Sequence, residues 1–333
     1  METRRLGRTG REVGVVGLGC WQLGADWGSV DEDTAMATLR AAVEAGVTFF
    51  DTADVYGDGR SERLLGAFRR ELTQWGRAGA GLTIATKVGR RADPHVPAAY
   101  TLDALRAWTG RSRENLGVET LDLVQLHCPP APVYDDDRVF DALDTLVAEG
   151  VTAAYGVSVE TVAEALRAVA RPGVATVQIV LNAFRRKPLE QVLPAAAEAG
   201  VGIIARVPLA SGLLSGKYDE QTEFGADDHR TYKRHGEAFD VGETFAGVPF
   251  DVGVAAAREV AALTPPGMTT AQAALRWVLD TDGVSVVIPG ARDAGQVRAN
   301  ASAASLPPLP VAVADGYARI YDTRIRAHVH ARW

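Results

Sequence analysis

Four side chains able to move or stabilise protons stand at matching places in three short apolar runs. Val47-Thr48-Phe49-Phe50 is β-branched and aromatic and stops at Asp51, with Tyr56 following in an Asp- and Gly-rich loop. Thr83-Ile84-Ala85-Thr86 stops at Lys87, and the run from Leu121 to Leu126 stops at His127. Runs of this length and composition read as buried parallel strands. One ionisable group at the same end of each strand brings a carboxylate, a phenol, an ammonium and an imidazole to one mouth. That set is equipped for acid–base chemistry.

Bringing those groups together requires the strands to run parallel, and the rest of the chain supplies the pattern. From Asp33 it alternates: helix Asp33–Ala45, strand Thr48–Asp51, helix Ser61–Trp75, strand Thr83–Thr86, helix Leu102–Leu116, strand Asp122–Leu126. Helix Asp137–Glu149, strand Ala153–Val157, helix Thr161–Ala170, strand Ala175–Val180, helix Leu189–Ala199 and strand Gly202–Val207 continue it. Ser61 reads as the N-cap of its helix, and Gly46, Gly150 and Gly200 as left-handed C-caps. Val15 to Gly19 precedes as a first strand and Val284–Ile288 follows as an eighth. Repeated right-handed β-α units call for a parallel sheet, open or closed. The count of eight favours a single α/β domain over residues 1–333, a (β/α)8 TIM barrel.

Three stretches stand outside the alternation. Arg5 to Gly14 reads as a hairpin turning at Thr9-Gly10. Lys217 to Asp251 is polar, with Gly225, Gly236, Gly242 and Gly247 and the clusters Asp227-Asp228-His229-Arg230 and Lys233-Arg234-His235. A connection this long in a compact domain is a functional lid or is disordered. Following strand seven, residues 218–250 are expected as a loop over the mouth. Val254–Leu263 and Ala271–Leu279 read as helices, and residues 309–333 as a C-terminal tail whose His328-Val329-His330 is solvated and holds no metal.

The balance of 35 basic and 42 acidic residues, net −7, argues against a general nucleic-acid or anionic-membrane binder. No uninterrupted apolar stretch reaches the length of a membrane span, and Met-Glu-Thr-Arg-Arg-Leu lacks the apolar core of a secretory signal. Cys20 and Cys128 make no disulfide framework, so a reducing cytoplasm is expected. Gly14, Gly17 and Gly19 do not form a G-x-G-x-x-G fingerprint, and no helix follows them directly.

These segments resemble the aldo-keto reductase family, whose signature block is Gly-x-x-x-x-Asp-Thr-Ala-x-x-Tyr-Gly. Here it runs from Gly46 to Gly57 with Asp51, Thr52, Ala53, Tyr56 and Gly57 in place, and the similarity covers nearly the whole chain. The resemblance implies that the hairpin plugs the barrel's bottom and that NADPH reduces the carbonyl of a small aldehyde or ketone to the alcohol, with NADH a weaker donor. Reduction needs a proton donor within hydrogen-bond reach of the oxygen. Tyrosine, with a pKa of about 10, is a weak acid at neutral pH, but a neighbouring ammonium stabilises its phenolate and a carboxylate anchors the ammonium. By resemblance Tyr56 is the general acid, Lys87 and Asp51 tune it, and His127 orients the carbonyl.

For the cofactor, the resemblance implies Gly19, Cys20 and Trp21 beneath the nicotinamide and Ser158 and Gln178 on its carboxamide. Arg206 and Val207 end strand seven, and Pro208-Leu209-Ala210-Ser211-Gly212, continuing to Lys217, matches the family's loop over the pyrophosphate. Its small residues let backbone N–H groups approach phosphate oxygens. Gly290, Arg292, Gln296 and Asn300 match the adenosine-phosphate site, and Arg292 suits the 2′-phosphate of NADPH.

The chain departs from the family at Val159 (usually Asn), Leu181 (often Tyr, before Asn182), Gly290 (often Lys) and Arg206 (often an aromatic). Arg206 is expected either to stack on the nicotinamide, disfavouring its oxidised form, or to turn aside to a carboxylate or the pyrophosphate. Trp21, Trp27, Val55 and Pro129 are expected around the substrate. Two rival readings are a cofactor-bound, non-catalytic regulatory subunit of this fold, and a metal-assisted hydrolase or Schiff-base aldolase using Lys87. Oligomeric state is not legible.

Overall fold

The computed structural model of the chain describes residues 1–24, 30–76, 81–225, 228–232 and 240–333. Trp27, Asp227 and the Lys233-Arg234-His235 cluster lie outside the described residues.

Eight parallel strands follow one another as neighbours in a single sheet: β3 (Leu18–Gly19), β4 (Phe49–Asp51), β5 (Thr83–Val88), β6 (Leu123–His127), β7 (Tyr155–Ser158), β8 (Val174–Val180), β9 (Gly202–Arg206) and β10 (Val284–Val287). The sheet curls until its outer strands meet. Gly17 and Gly19 N–H donate to the carbonyls of Val287 and Pro289 at 2.8 and 3.0 Å, and Val287 N–H to Val15 at 3.0 Å. This arrangement is consistent with a (β/α)8 barrel. The first strand is shorter than expected, and its glycines explain the fit. A Cβ on Gly17 would lie 2.9 Å from the Phe49 carbonyl oxygen, and one on Gly19 3.1 Å from that of Ile288. They serve close strand packing.

Helices α1 (Glu32–Glu44), α2 (Arg60–Gln74), α3 (Leu102–Leu116), α4 (Asp137–Ala148), α5 (Val162–Val169) and α6 (Pro188–Ala199) alternate with the strands. Local chemistry sets their ends. Asp31 and Thr101 cap α1 and α3, Thr161 and Glu164 form a capping box on α5, and Gly117 and Gly200 close α3 and α6 in the left-handed region. Ser61 is not the cap of α2, which starts at Arg60 behind Gly59. Its hydroxyl is buried and donates to the Cys20 carbonyl at 3.0 Å while accepting from Thr52 at 2.8 Å. It ties the signature loop to the first strand.

Side-chain alternation along the strands builds the interior in layers. Phe49, Ala85, Leu123, Ile204, Val286 and Ile288 cluster inside together with Leu6 and Val13 of the hairpin. The hairpin pairs β1 (Thr3–Arg5) with β2 (Glu12–Gly14), starting earlier than expected. Above this apolar floor the inward positions turn polar.

After β9 come the one-turn α7 (His229–Tyr232), then α8 (Phe250–Ala262) and α9 (Thr270–Leu279), with α10 (Ala294–Ser302) after β10. Residues 309–333, expected as a tail, contain α11 (Val311–Ile320), a π turn (Tyr321–Ile325) and α12 (Arg326–Val329). His328 is exposed as expected, but Val329 and Trp333 are buried and His330 shares a 2.9 Å hydrogen bond with the Tyr321 hydroxyl. The Trp333 indole donates to Asp240 at 2.8 Å, and the Arg185 guanidinium lies 3.9 Å from its ring centroid. Aromatic and cationic side chains spaced for helical packing hold this segment down. No helix among the described residues is long and apolar enough to cross a membrane.

Gly7 carries the contact between hairpin and sheet. Its φ is +51°, and a Cβ there would sit 2.1 Å from the Gly202 nitrogen. Gly7→Ala is therefore expected to lower the unfolding free energy by more than about 1 kcal/mol in urea titrations. An unchanged midpoint would show that the hairpin can shift without cost.

Candidate active site

Strand register sets the site. Gly19 pairs with Asp51, Lys87 with Gln125, His127 with Ser158 and Ser158 with Gln178. Lys87 is 1% exposed, and its ammonium donates to Asp51 Oδ1 at 2.5 Å, the Thr52 carbonyl at 3.0 Å and the Tyr56 hydroxyl at 3.3 Å. The other carboxylate oxygen of Asp51 accepts from Gln125 Nε2 at 3.1 Å and Gln178 Nε2 at 2.7 Å. All three ammonium donors and both carboxylate oxygens are thus partnered. Trp21 stacks on Tyr56 with ring centroids 5.9 Å apart, and His127 meets it edge-on at 5.9 Å.

Burial and charge set the protonation states. Burial opposes the charge on Lys87, but Asp51 and Tyr56 outweigh it and raise its pKa, so it stays an ammonium. For Tyr56, burial pushes the pKa up, Lys87 pulls it down, and Asp51 and Glu243 push it up again; the net direction is up. The lowering expected from Lys87 alone is outweighed, and the phenol keeps its proton. Burial, then Arg90 and Lys87, hold His127 well below the usual imidazole range, so it is neutral. Its Nδ1 has no hydrogen-bond partner among the described residues.

Tyr56 and His127 open into a cavity of about 1150 Å³. Apart from Ala210, the residues named above for the dinucleotide line this cavity: Gly19, Cys20 and Trp21, Ser158 and Gln178, Arg206 through Leu209, Ser211 and Gly212, Lys217, and Gly290, Arg292, Gln296 and Asn300. Val55 lines it as well; Pro129 does not. Lys87 lies behind Tyr56. Several of the expected contacts have internal partners. Gln178 turns its amide donor to Asp51, Asn300 donates to the Gly290 carbonyl at 3.2 Å, and Gln296 accepts from Arg292 N–H at 3.1 Å. A Cβ on Gly290 would meet the end of the flexible Gln22 side chain at 2.2 Å, so only that side chain must move to admit one.

The turn after β9 is strained. Val207 has φ +54° and Ser211 φ +54°, unusual for residues carrying a Cβ and most of all for a β-branched one. Asn182 steadies it by donating to the Val207 carbonyl at 2.9 Å. Ser211 Oγ donates to the Glu243 carbonyl at 3.2 Å and accepts from Phe245 N–H at 3.0 Å, tying the turn to the segment after it. Tyr218, Arg230, Asp240 and Glu243 from the region between 218 and 250 also line the cavity.

Arg206 turns to carboxylates. Its guanidinium lies 3.0 Å from Glu160 and 3.6 Å from Glu243, and it donates to the Val159 carbonyl at 3.0 Å. Arg90 joins them, 3.4 Å from Glu243 and 3.9 Å from Glu160. Cys128, Glu160 and Glu243 come within 4.8 Å of one another, close enough to hold a cation, and Arg206 supplies the positive charge there.

Sequence reasoning missed Gln125, Arg90, Glu160 and Glu243. Gln125 did carry a signal, because it interrupts an apolar strand two residues before His127 and so faces inward with it. The other three meet only through the fold.

The sequence pattern of the Aldo/keto reductase family matches residues 15–320, and the chain belongs to that family of oxidoreductases. It is similar to aldo-keto reductase YhdN of Bacillus subtilis, 30% identical over 309 residues covering 90% of this chain and 87% of that protein. It is also similar to a probable voltage-gated potassium channel subunit beta of Arabidopsis thaliana, 27% identical over 325 residues and 93% of each chain. The crystal structure of an aldo/keto reductase from Klebsiella pneumoniae in complex with NADP and acetate matches with a TM-score of 0.67 at 25% identity, over 96% of this chain and 95% of that one.

Asp54 provides a pH test of the packing beneath the site. It is 1% exposed, neither carboxyl oxygen has a hydrogen-bond partner among the described residues, and Arg91 Nε lies 3.6 Å away. Burial first, then Glu62, push its pKa up to about 7. The folded protein therefore holds the proton more tightly than the unfolded chain. The resulting stability is fully present below about pH 4 and is lost as pH rises through about 7. Asp54→Asn should raise the melting temperature more at pH 8 than at pH 5, and equal shifts at both would remove Asp54 from this role.

Proposed function

We propose that the protein reduces the carbonyl of a small aldehyde or ketone to the alcohol with NADPH, and that Tyr56 is the proton donor. The observation that carries this reading is the Tyr56 hydroxyl, 3.3 Å from the Lys87 ammonium and opening into a cavity large enough for a dinucleotide and a small substrate. The donor set suits the cofactor: Lys217 and Arg292 are cations for phosphate groups, and Ser158 and Gln178 offer polar atoms near Tyr56. NADPH, when bound, supplies the hydride that the carbonyl carbon receives.

The chain's own groups handle the proton. Tyr56, kept as a phenol, donates to the carbonyl oxygen as negative charge develops there. Lys87 stabilises the phenolate left behind, and Asp51, Gln125 and the Thr52 carbonyl keep the ammonium in place. Neutral His127 donates an N–H to the same oxygen and fixes its direction without adding charge. Solvent restores the phenol's proton. The similarity to a potassium channel beta subunit keeps a regulatory role as the second reading. Turnover of a reactive aldehyde with NADPH distinguishes the two.

Tyr56→Phe keeps the ring and removes the donor. NADPH affinity is expected to stay within a few-fold, while turnover falls by roughly two orders of magnitude or more. Undiminished turnover would take Tyr56 out of the acid's role.

Arg292→Ala is expected to weaken NADPH more than NADH, by about 1.5–3 kcal/mol, because only NADPH carries the extra phosphate. Fluorescence titration of both cofactors measures it; equal losses would mean that Arg292 does not read the 2′-phosphate.

A further inference from the structure

The side-chain amides of Gln125 and Gln178 form a chain whose direction is set from one end, by Asp51. A carboxylate only accepts. Each glutamine that meets its Oδ2 must therefore turn its NH2 inward, Gln178 Nε2 at 2.7 Å and Gln125 Nε2 at 3.1 Å. Gln125 then turns its carbonyl oxygen to Gln178 and accepts from the same Nε2 at 3.3 Å. Both amide hydrogens of Gln178 are thus spent on the interior. Its Oε1 accepts from no group among the described residues, and the side chain lines the cavity. Gln125 is fully buried and does not line the cavity. Strand β7 meets it with Gly156, which carries no side chain, and the two amides meet across that strand.

We propose that Gln125 is a positioning residue for the cofactor: it holds Gln178 as an acceptor only, so that the cavity beside Tyr56 takes the nicotinamide carboxamide in one orientation, NH2 toward Gln178 and C=O toward Ser158. The proposal rests on the reductase reading above, which puts the ring next to Tyr56, and concerns how that ring is held.

Three features select this arrangement. A hydride reaches a carbonyl carbon held at Tyr56 only from a ring beside it, and Gln178 is joined to Tyr56 through Asp51 and Lys87. Ser158 lies opposite Gln178 in the strand register. Its Oγ is 3.7 Å from the Cys128 thiol, a weak donor, so its own proton is available to a carbonyl oxygen. The next side chain, Val159, is buried and apolar and offers no polar atom to a carboxamide turned the other way. A reversed carboxamide would set its oxygen against Gln178 Oε1, and an acceptor left buried without a donor costs more than a made bond contributes. Turning Gln178 over instead would set its oxygen against Asp51. Asp51 alone claims one amide hydrogen of Gln178; Gln125 claims the second, which would otherwise be free to face the cavity.

The test is binding, read by tryptophan fluorescence, of NADP⁺ and two analogues to wild type, Gln125→Met and Gln178→Met. The thionicotinamide analogue keeps the NH2; in the acetylpyridine analogue a methyl group replaces it. Wild type is expected to bind the acetylpyridine analogue about ten-fold or more weaker than NADP⁺, because Gln178 Oε1 is left without a donor, and the thionicotinamide analogue within about three-fold. In Gln125→Met a Gln178 hydrogen is released to the cavity and can meet the acetyl oxygen, so the ten-fold ratio should fall below about three-fold. Gln178→Met removes the acceptor and should erase the ratio as well. Affinity for 2′,5′-ADP, which has no ring, should be unchanged in both. A ratio that survives in either variant overturns the proposal, as does a loss of 2′,5′-ADP affinity in step with NADP⁺, the mark of a general packing defect. A wild type that binds NADP⁺ and the acetylpyridine analogue equally overturns it with no variant needed. None of these readouts requires turnover. If aldehydes are not reduced but the binding pattern holds, the reductase reading falls and the role of Gln125 stands. If aldehydes are reduced and Gln125→Met keeps the wild-type ratio, the reverse is true.

Discussion

The buried pair of Lys87 and Asp51 is the constraint on which the rest of this structure depends. Removing two such charges from water costs on the order of several kcal/mol per ion unless their hydrogen bonds are replaced. Here the replacements come from separate pieces of chain: Thr52 and Tyr56 from the signature loop, Gln125 from β6 and Gln178 from β8. A shift of one residue in any of these strands would turn the partner outward and leave a buried charge bare. The ion pair therefore demands the strand register, and the register in turn delivers Tyr56 and His127 to one mouth. Fold and site are specified by the same contacts.

The layering below the pair follows from the same alternation. Inward positions are apolar where Leu6 and Val13 of the hairpin meet Phe49, Ala85, Leu123, Ile204 and Val286, and polar one layer higher. The apolar layer closes the underside of the charged one, which keeps solvent from competing for Lys87 and Asp51 from beneath. A low local dielectric strengthens each hydrogen bond above it and makes each unpaired group more costly. This is why Gln125, a polar residue in a buried strand, is not an anomaly: it occupies the one layer where a carboxylate needs a second donor.

Much of this was legible in the sequence, and the reasons for the rest are physical. Asp51 and His127 at their strand ends, and Lys87 one residue short of its own, could be read because short apolar runs and their terminating residues are local signals. The helices were readable for the same reason, α3 to the residue. Ser61 misled because a serine before an apolar helical face is also a good cap, and its burial against Cys20 and Thr52 is a tertiary fact. Residues 309–333 read as a tail because their helices carry few local end signals and gain their stability by docking Val329 and Trp333. The sequence offered Arg206 two directions, a ring or a carboxylate, and local signals could not choose between them. Its partners, Glu160 and Glu243, lie 46 residues before it and 37 after it, and only the fold brings them together.

Arg90 and Glu243 also bear on His127 and Tyr56. Arg90 helps burial to keep His127 neutral, and Glu243 adds to burial and Asp51 in keeping the proton on Tyr56. Both groups facing the cavity are therefore uncharged hydrogen-bond donors before any substrate arrives. In the proposed reduction the Tyr56 proton is held until charge develops on an oxygen in front of it, when Lys87 can stabilise the phenolate. The segment that carries Glu243 is held by Ser211, by Arg185 donating to the Ala246 carbonyl at 3.2 Å, and by Trp333 through Asp240. Protonation states at the mouth thus depend partly on packing near the end of the chain. That coupling follows from placing a charge on a connecting segment rather than on a strand: its position is only as well defined as the contacts that hold the segment down.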